Sequence, residues 1–396
     1  MRIGLDDALR LAAQHNHALE AARSTINQNV AQEVTANLRP NPVLSWDSQF
    51  IPLFDLPQFA TPGYFNNQAQ FDFGLGYTIE RGQKRQNRLQ AARDQTSVTR
   101  SQVLDNQRTM AFNVGQQFVA VLLAQSMMDL AQQDLTSYQQ TIDLSEARLK
   151  AGDMSGGDLL KIKLQLLQFQ QDVSSARLAK IQALAALRQL VGFESVPENY
   201  DVTGTLDYQP VHAAIDDIKA LAISSRPDLV AARQSVVAAR SQVSLAQANG
   251  KRDLGLSFAY SHVAGVNSAA LFFNMEVPIF DRNQGEIART QAVVTQSDEL
   301  YREASQQVTT VVVNAWEGLH TNDEIIGLFR SGYLDQTTQS RDISEYAYQH
   351  GAATLLDFLD AERSYRANQL AYRQALAAYM VSLEQVREAA GTRTLP

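Results

Sequence analysis

The sequence predicts a mainly α-helical protein with a β-barrel portion, built from one strand–strand/long-helix-hairpin unit that occurs twice. Three observations carry this reading. The chain repeats itself, two stretches of more than a hundred residues contain no proline, and four short segments alternate apolar with polar residues.

The repeat sets the domain boundaries. Asp6-Asp7, Leu11-Ala12, Leu19 and Ala21-Ala22-Arg23 recur 210 residues later as Asp216-Asp217, Leu221-Ala222, Leu229 and Ala231-Ala232-Arg233. Glu146, Gly152, Asp158, Gln170 and Gly192 recur 199 residues later as Glu345, Gly351, Asp357, Gln369 and Gly391. The spacing shrinks because the first copy carries a longer loop near residues 51–69. Residues 1–200 are therefore read as the first structural repeat and 201–396 as the second, each with one helix, two strands and a helical hairpin.

Each element then follows in order. The first copy is expected to form helices over 6–38, 82–150 and 155–191, with strands over 42–50 and 70–79. The second should form helices over 213–249, 283–350 and 353–390, with strands over 253–262 and 268–279. The hairpins occupy the proline-free stretches, 80–195 and 280–395, which are rich in Ala, Leu, Gln, Arg and Glu and so favour long helices. Gly152, Gly156 and Gly157 interrupt the first and Gly351 the second, where a glycine after a periodic run ends a helix. Along the first long arm Val114, Val121, Met128, Leu135, Ile142 and Leu149 recur every seventh residue. That period implies a left-handed seam against neighbouring helices, and taken alone it suits an ordinary coiled coil.

The strand segments follow a period of two. Phe71, Phe73, Leu75, Tyr77 and Ile79 share one face, opposite Gln70, Asp72, Gly74, Gly76 and Thr78; Leu254, Leu256, Phe258 and Tyr260 lie opposite Gly255, Ser257, Ala259 and Ser261. Such alternation over about ten residues suits a barrel strand with lipid on one side and water on the other. It equally suits a soluble sheet with one buried face.

Composition narrows the function classes. A net charge of −8 without a basic run argues against a nucleic-acid surface, which needs clustered cations. No cysteine is present, which excludes thiolate catalysis, thiolate metal sites and a lipidated N-terminal Cys on the chain as given, and accords with an extracytoplasmic compartment. No apolar run is long enough for a membrane-spanning helix, and no signal peptide is visible, so an exported protein would have lost its signal or carry it outside this chain. His15 and His17 point to different helix faces, and His212, His262, His320 and His350 lie in separate elements, so no metal site is expected. With no nucleophile elbow, phosphate loop or zinc-protease helix in the sequence, neither enzyme activity nor a cofactor is expected.

The long helix over 82–150 would run about 100 Å at 1.5 Å per residue, and the two shorter helices of the same copy, laid end to end, nearly match it. A wall of constant length made from continuous and interrupted helices explains this better than a compact domain does. Four strands cannot close a water-filled barrel, and lipid-embedded strands tolerate no free edge. The chain must therefore associate with copies of itself, and three copies would supply twelve strands.

In this pattern the chain resembles the TolC-like outer-membrane factor family over nearly its whole length. The resemblance is carried by Leu5-Asp-Asp-Ala-Leu-Arg-Leu-Ala and Arg226-Pro-Asp-Leu at the repeat starts. Val277-Pro-Ile-Phe-Asp-Arg-Asn-Gln-Gly285 and Ile79-Glu-Arg-Gly-Gln-Lys-Arg85, at the strand-to-helix transitions, are similar in particular to the heavy-metal and cation efflux branch. The resemblance implies a homotrimer with a 12-stranded outer-membrane barrel and a periplasmic α-helical tunnel. It implies a passive gated conduit served by a periplasmic adaptor (membrane fusion) protein and an inner-membrane pump of the RND type, in contact with outer-membrane lipid. A soluble periplasmic coiled-coil adaptor or scaffold is the competing reading.

The resemblance also places functional residues. Gly152, Asp153, Met154 and Ser155, with Gly351, Ala352 and Ala353, correspond to the hairpin tips that meet the adaptor. Asp357 and Asp360, three apart on one helix face, correspond to a cation-selective constriction; as helix N-terminal acids they are also explained by the helix dipole alone. Asp158 and Tyr348 match positions whose hydrogen bonds help hold the tips shut. Ala353 departs from the family, standing where TolC carries a basic gate residue. Arg81, Lys84, Arg85 and Arg88 could meet anionic headgroups or simply be a solvated helix start. Phe54, Phe59, Tyr64 and Phe65 could form an aromatic girdle or pack their loop.

Overall fold

A computed structural model of the protein describes residues 1–51, 54, 57, 61–211 and 213–395, the side chain of Phe65 excepted. In chain order the elements are β1 (Arg2–Ile3), α1 (Leu5–His15), α2 (His17–Asn37), β2 (Val43–Gln49), α3 (Tyr64–Asn67), β3 (Gln70–Ile79), α4 (Lys84–Ala151) and α5 (Gly156–Val191). They continue with β4 (Asp201–Val202), α6 (Ile215–Ser225), α7 (Pro227–Asn249), β5 (Leu254–Val263), β6 (Val266–Asn274), α8 (Gln284–Leu328), a π turn (Phe329–Tyr333), α9 (Leu334–Gln349) and α10 (Leu355–Ala390).

The chain divides into two compact units, each drawing on both halves of the sequence. One holds Met1–Arg23, Gln102–Leu229 and Ser305–Pro396; the other holds Ser24–Ser101 and Val230–Ala304.

The second of these contains a four-stranded antiparallel sheet in the order β2-β3-β5-β6. Its register aligns like with like. Leu44, Leu75, Phe258 and Leu271 form one row across all four strands, and Trp46, Phe73, Tyr260 and Ala269 the next. Trp46 stacks on Phe73 with ring centroids 6.1 Å apart. On the opposite face Asp47, Asp72, Ser261 and Ser268 form a polar row. Most of these apolar side chains are exposed, Leu44 to 74% and Trp46 to 69%. The helical part of this unit is buried through small residues, Ala36, Ala91, Thr96, Ala239 and Ala246, which allow close helix approach. Ser101 donates to Gln234 at 2.7 Å there.

The other unit is a helical assembly whose core takes Val114, Phe118 and Val121 from α4, Leu187 and Val191 from α5, Val308 and Val312 from α8, and Tyr379 and Val386 from α10. Of the heptad residues, Val114, Val121 and Ile142 are buried, while Met128, Leu135 and Leu149 are half-buried. The short strands β1 and β4 pair in parallel, Arg2 with Asp201 and Ile3 with Val202. Local sequence gave no sign of this pair.

Four element boundaries depart from expectation. The helix expected over 6–38 breaks at Asn16, and the one over 213–249 breaks at Arg226. Both breaks are capped. The Asn16 side chain donates to the Leu190 carbonyl at 2.9 Å and accepts from the Leu19 N–H at 3.0 Å. Arg226 is held by Asp228 and donates to the Ala389 carbonyl at 3.3 Å. Gly192 and Gly391, with φ of +91° and +79°, let the chain pass each break; a Cβ on Gly192 would sit 2.8 Å from the His15 carbonyl oxygen. The strand expected over 268–279 stops at Asn274, ahead of Pro278, which cannot donate to a ladder. The helix expected over 283–350 is interrupted at Gly332, where φ is +116°.

Candidate functional site: the two hairpin turns

Both turns are built by the same local chemistry. At the end of α4, Gly152 (φ +86°) donates to the Leu149 carbonyl at 3.1 Å and Asp153 to Arg148 at 2.9 Å. At the end of α9, Gly351 (φ +75°) donates to the Tyr348 carbonyl at 3.1 Å and Ala352 to Ala347 at 2.7 Å. These paired bonds satisfy the last carbonyls of each helix and require the left-handed backbone that glycine supplies.

The following helices start alike. The Ser155 hydroxyl accepts from the Asp158 N–H at 3.1 Å and donates to its carboxylate at 2.9 Å. The Thr354 hydroxyl accepts from the Asp357 N–H at 3.2 Å and donates to its carboxylate at 2.6 Å, and the Thr354 N–H adds a bond at 3.1 Å. The second is a full reciprocal capping box. These bonds hold the carboxyl of Asp357 below the usual range, and Ser155 and then Lys161 do the same for Asp158.

One aromatic and aliphatic cluster joins the hairpins: Tyr138, Ile142, Ile162 and Phe169 from the first, Tyr348 and Phe358 from the second. Tyr348 is only 5% exposed. Its ring stacks on Phe358 at 5.3 Å, and its hydroxyl lies 3.4 Å from that of Ser145 and 4.0 Å from the Met154 sulfur. Arg148 spans the junction, donating to the Tyr348 carbonyl at 2.7 Å with its guanidinium over the Tyr348 ring. Ala353, Met154 and Leu355 pack against the same cluster. Ala353, already noted as a departure from the family at a gate position, thus makes an apolar contact.

Of the residues singled out from the sequence, Tyr348, Met154 and Ala353 come together. Gly152, Asp153, Ser155, Gly351, Ala352, Asp357 and Asp360 are exposed on the turns and the start of α10, and Asp158 is half-buried. Asp158 is engaged with Ser155 and Lys161 of its own hairpin. The basic cluster is largely committed: Lys84 pairs with Asp253 at 2.8 Å, and Arg88 pairs with Glu80 while capping the Ala36 and Leu38 carbonyls. In the loop, Phe54 is fully exposed, but Tyr64 is 7% exposed and its hydroxyl bonds the Phe50 carbonyl. Phe59 and the Phe65 side chain lie outside the described residues.

Sequence reasoning missed a charged cluster beside the junction. Arg366 on α10 bonds Asp134 on α4 at 3.0 Å and Asp172 on α5 at 2.6 Å, and its guanidinium lies 4.3 Å from the Phe169 ring centroid. Burial raises the carboxyl of Asp134 above its ordinary range against the pull of Arg366; burial and then Asp134 do the same for Glu362. These side chains line a cavity of about 450 Å³ between α4, α5 and α10. The available signal was Glu362 and Arg366, four apart on one helix face.

Comparison with known proteins agrees with this architecture. The family model described as outer membrane efflux protein matches residues 8–193 and 220–392. The cobalt-zinc-cadmium resistance protein CzcC of Cupriavidus metallidurans is 24% identical over 390 residues, 98% of this chain and 88% of that protein. The pyoverdine export outer membrane protein OpmQ of Pseudomonas aeruginosa is 25% identical over 404 residues, 96% of this chain and 83% of that protein. Among solved structures, that of CusC superposes with a TM-score of 0.79 at 20% identity, covering 98% of this chain and 92% of that one.

Proposed function

The chain belongs to the outer membrane efflux protein family, and we propose that it is one subunit of a homotrimeric, passive conduit through the outer membrane. It is an outer-membrane protein, and the observation that carries the trimeric reading is the four-stranded sheet. Apolar rows cross the whole sheet, and β2 and β6 each have one strand partner among the described residues. Open edges are not tolerated in lipid, so β2 of one copy pairs with β6 of another, and three copies close a twelve-stranded barrel. The helical unit of each copy adds two hairpins to a periplasmic tunnel, and the chain is two copies of one unit, 1–200 and 201–396.

In this reading the turns at Gly152–Ser155 and Gly351–Ala353 dock a periplasmic adaptor, and an inner-membrane pump of the RND type supplies the energy. Asp357 and Asp360 form two acidic rings at the constriction, while Tyr348 and Asp158 hold the junction and the first turn. The closed junction is supported by the burial of Tyr348 and its bond from Arg148. The acidic rings are supported by the exposure of both carboxylates in the single chain and by the low carboxyl of Asp357, which keeps it charged. The cargo is a cation or another small solute; CzcC is named for metal resistance and OpmQ for pyoverdine export.

Single-channel recording in planar bilayers tests the gate. With Asp357→Ala and Asp360→Ala combined, block by multivalent cations should disappear and the cation/anion permeability ratio should fall toward one, because a narrow pore screens such charges poorly. An unchanged record would remove the acidic rings from the mechanism.

A further inference from the structure

A chain carrying two equivalent hairpins gives each first hairpin two neighbours in a closed ring. One is the second hairpin of its own chain and the other is the second hairpin of the next copy. The contact inside the chain is visible. From α10, Leu359, Arg363 and Arg366 line the cavity, and from α5, Gln165, Phe169 and Asp172 face them. That seam carries ion pairs, Arg366 on Asp134 and Asp172, beside the aromatic cluster.

The residues 199 positions before Leu359, Arg363 and Arg366 are Leu160, Leu164 and Leu167. They follow i, i+4, i+7 spacing along one stripe of α5, and in the single chain they are 59%, 66% and 66% exposed. The surface equivalent to Gln165, Phe169 and Asp172 is Ser364, Asn368 and Ala371 on α10. The place of Asp134 falls at Tyr333, which is 59% exposed. Both sides of the contact have changed together: the arginine is replaced by Leu167, and its two carboxylate partners by Ala371 and Tyr333. Lys163, in the place of buried Glu362, already pairs with Glu146 of its own chain at 2.7 Å and brings no unmatched charge.

We propose that Leu160, Leu164 and Leu167 seat on Ser364, Asn368, Ala371 and Tyr333 of a second copy of this chain. The subunit seam near the tips is then uncharged where the quasi-equivalent seam inside each chain carries ion pairs beside its aromatic cluster. The exposed leucines are the half of a heterologous contact whose other half lies on the same molecule. This rests on the duplicated unit and the trimer proposed above.

The chain has no cysteine, so paired cysteines report cleanly. In the purified full-length protein, Leu164→Cys with Ser364→Cys should react with a short bismaleimide to shift most of the monomer band to dimer and trimer positions on a denaturing gel. The quasi-equivalent pair, Gln165→Cys with Arg363→Cys, should react only within a chain, leaving the monomer band and yielding a linked peptide. Native mass measurement of the unreacted variants separates the two layers of the reading. A trimer mass without the ladder, while the internal pair still links, overturns the seam and leaves the trimer standing; an adaptor seated on the leucines would give this result. A monomer mass overturns the trimer and the seam with it.

Discussion

The two hairpins reach their turns differently. The first rises on α4, one helix of 68 residues without a break, whereas the second is delivered by α8, a five-residue π turn and α9. The break lies beside the chain that connects the two halves. Tyr208 of that connection donates to the Asp323 carboxylate, packs on Tyr379 at 4.9 Å and lies under the Arg330 guanidinium at 5.1 Å. Its hydroxyl pKa is pushed up to about 12 by the Asp323 bond. Tyr379 in turn donates to the Gln209 carbonyl at 2.6 Å, and Trp316 to that of Ala213 at 3.4 Å. Earlier in the same connection, Tyr200 and Asp201 bond the Leu184 carbonyl and Lys180 of the first hairpin, away from any break. The repeats are alike at their turns, where local capping decides the structure, and unlike where the covalent connection has to be accommodated.

The largest test concerns what joins the hairpins. Arg366→Ala leaves the Asp134 carboxylate buried without its main partner, a loss of about 3–5 kcal/mol. Burial already raises the folded-state pKa of Asp134 above its ordinary 3.8, so the folded protein holds that proton more tightly than the unfolded one. Arg366 pulls that pKa down, so removing it raises the pKa further; the cost is full above the variant's folded pKa and shrinks as pH falls through it. The Tm deficit of Arg366→Ala relative to the parent should narrow on acidification from neutral pH. A deficit that stays constant would mean that Asp134 is not the group left unpaired.

The break itself comes next. Gly332→Ala forces a side chain into φ +116° and should cost about 1–3 kcal/mol. Gly327→Ala, five residues earlier within regular helix and with open space around a new Cβ, should instead stabilise by about 0.5–1 kcal/mol. Opposite signs in thermal unfolding would locate the strain at one residue; equal signs would show that the break is not fixed there.

The smallest effect separates the turns. Thr354→Ala and Ser155→Ala should each lose about 1 kcal/mol of local helix stability, read as faster amide exchange in the first turn of α10 or α5. Thr354→Ala should also let the carboxyl of Asp357 rise toward its ordinary value, because the Thr354 hydroxyl is the leading cause of its depression. If the Asp357 carboxyl does not move in a carbon-detected titration, the capping box is not what holds it.

Features with short-range causes were legible before any fold was known. Proline-free stretches and Gly152 and Gly351 marked the hairpins, and alternation marked β3 and β5 to within a residue. Asp357 was legible as a helix N-terminal acid, whereas the Thr354 cap that holds it emerged with the structure. The breaks at Asn16 and Arg226 were readable in part, since Pro227 suits the first position of a helix. Their cause is nonetheless distant, in carbonyls at Leu190 and Ala389.

What the sequence determined by itself was the duplicated plan and its element types, because periodicity and capping act over one or two helical turns. Tertiary structure alone decided which apolar and charged positions are spent inside the chain. Asp134, Glu362 and Arg366 become a cluster only because three helices close around them, and Leu160, Leu164 and Leu167 form an exposed stripe only because the fold leaves them outside. Burial depends on which helices become neighbours, and that is fixed by contacts across hundreds of residues.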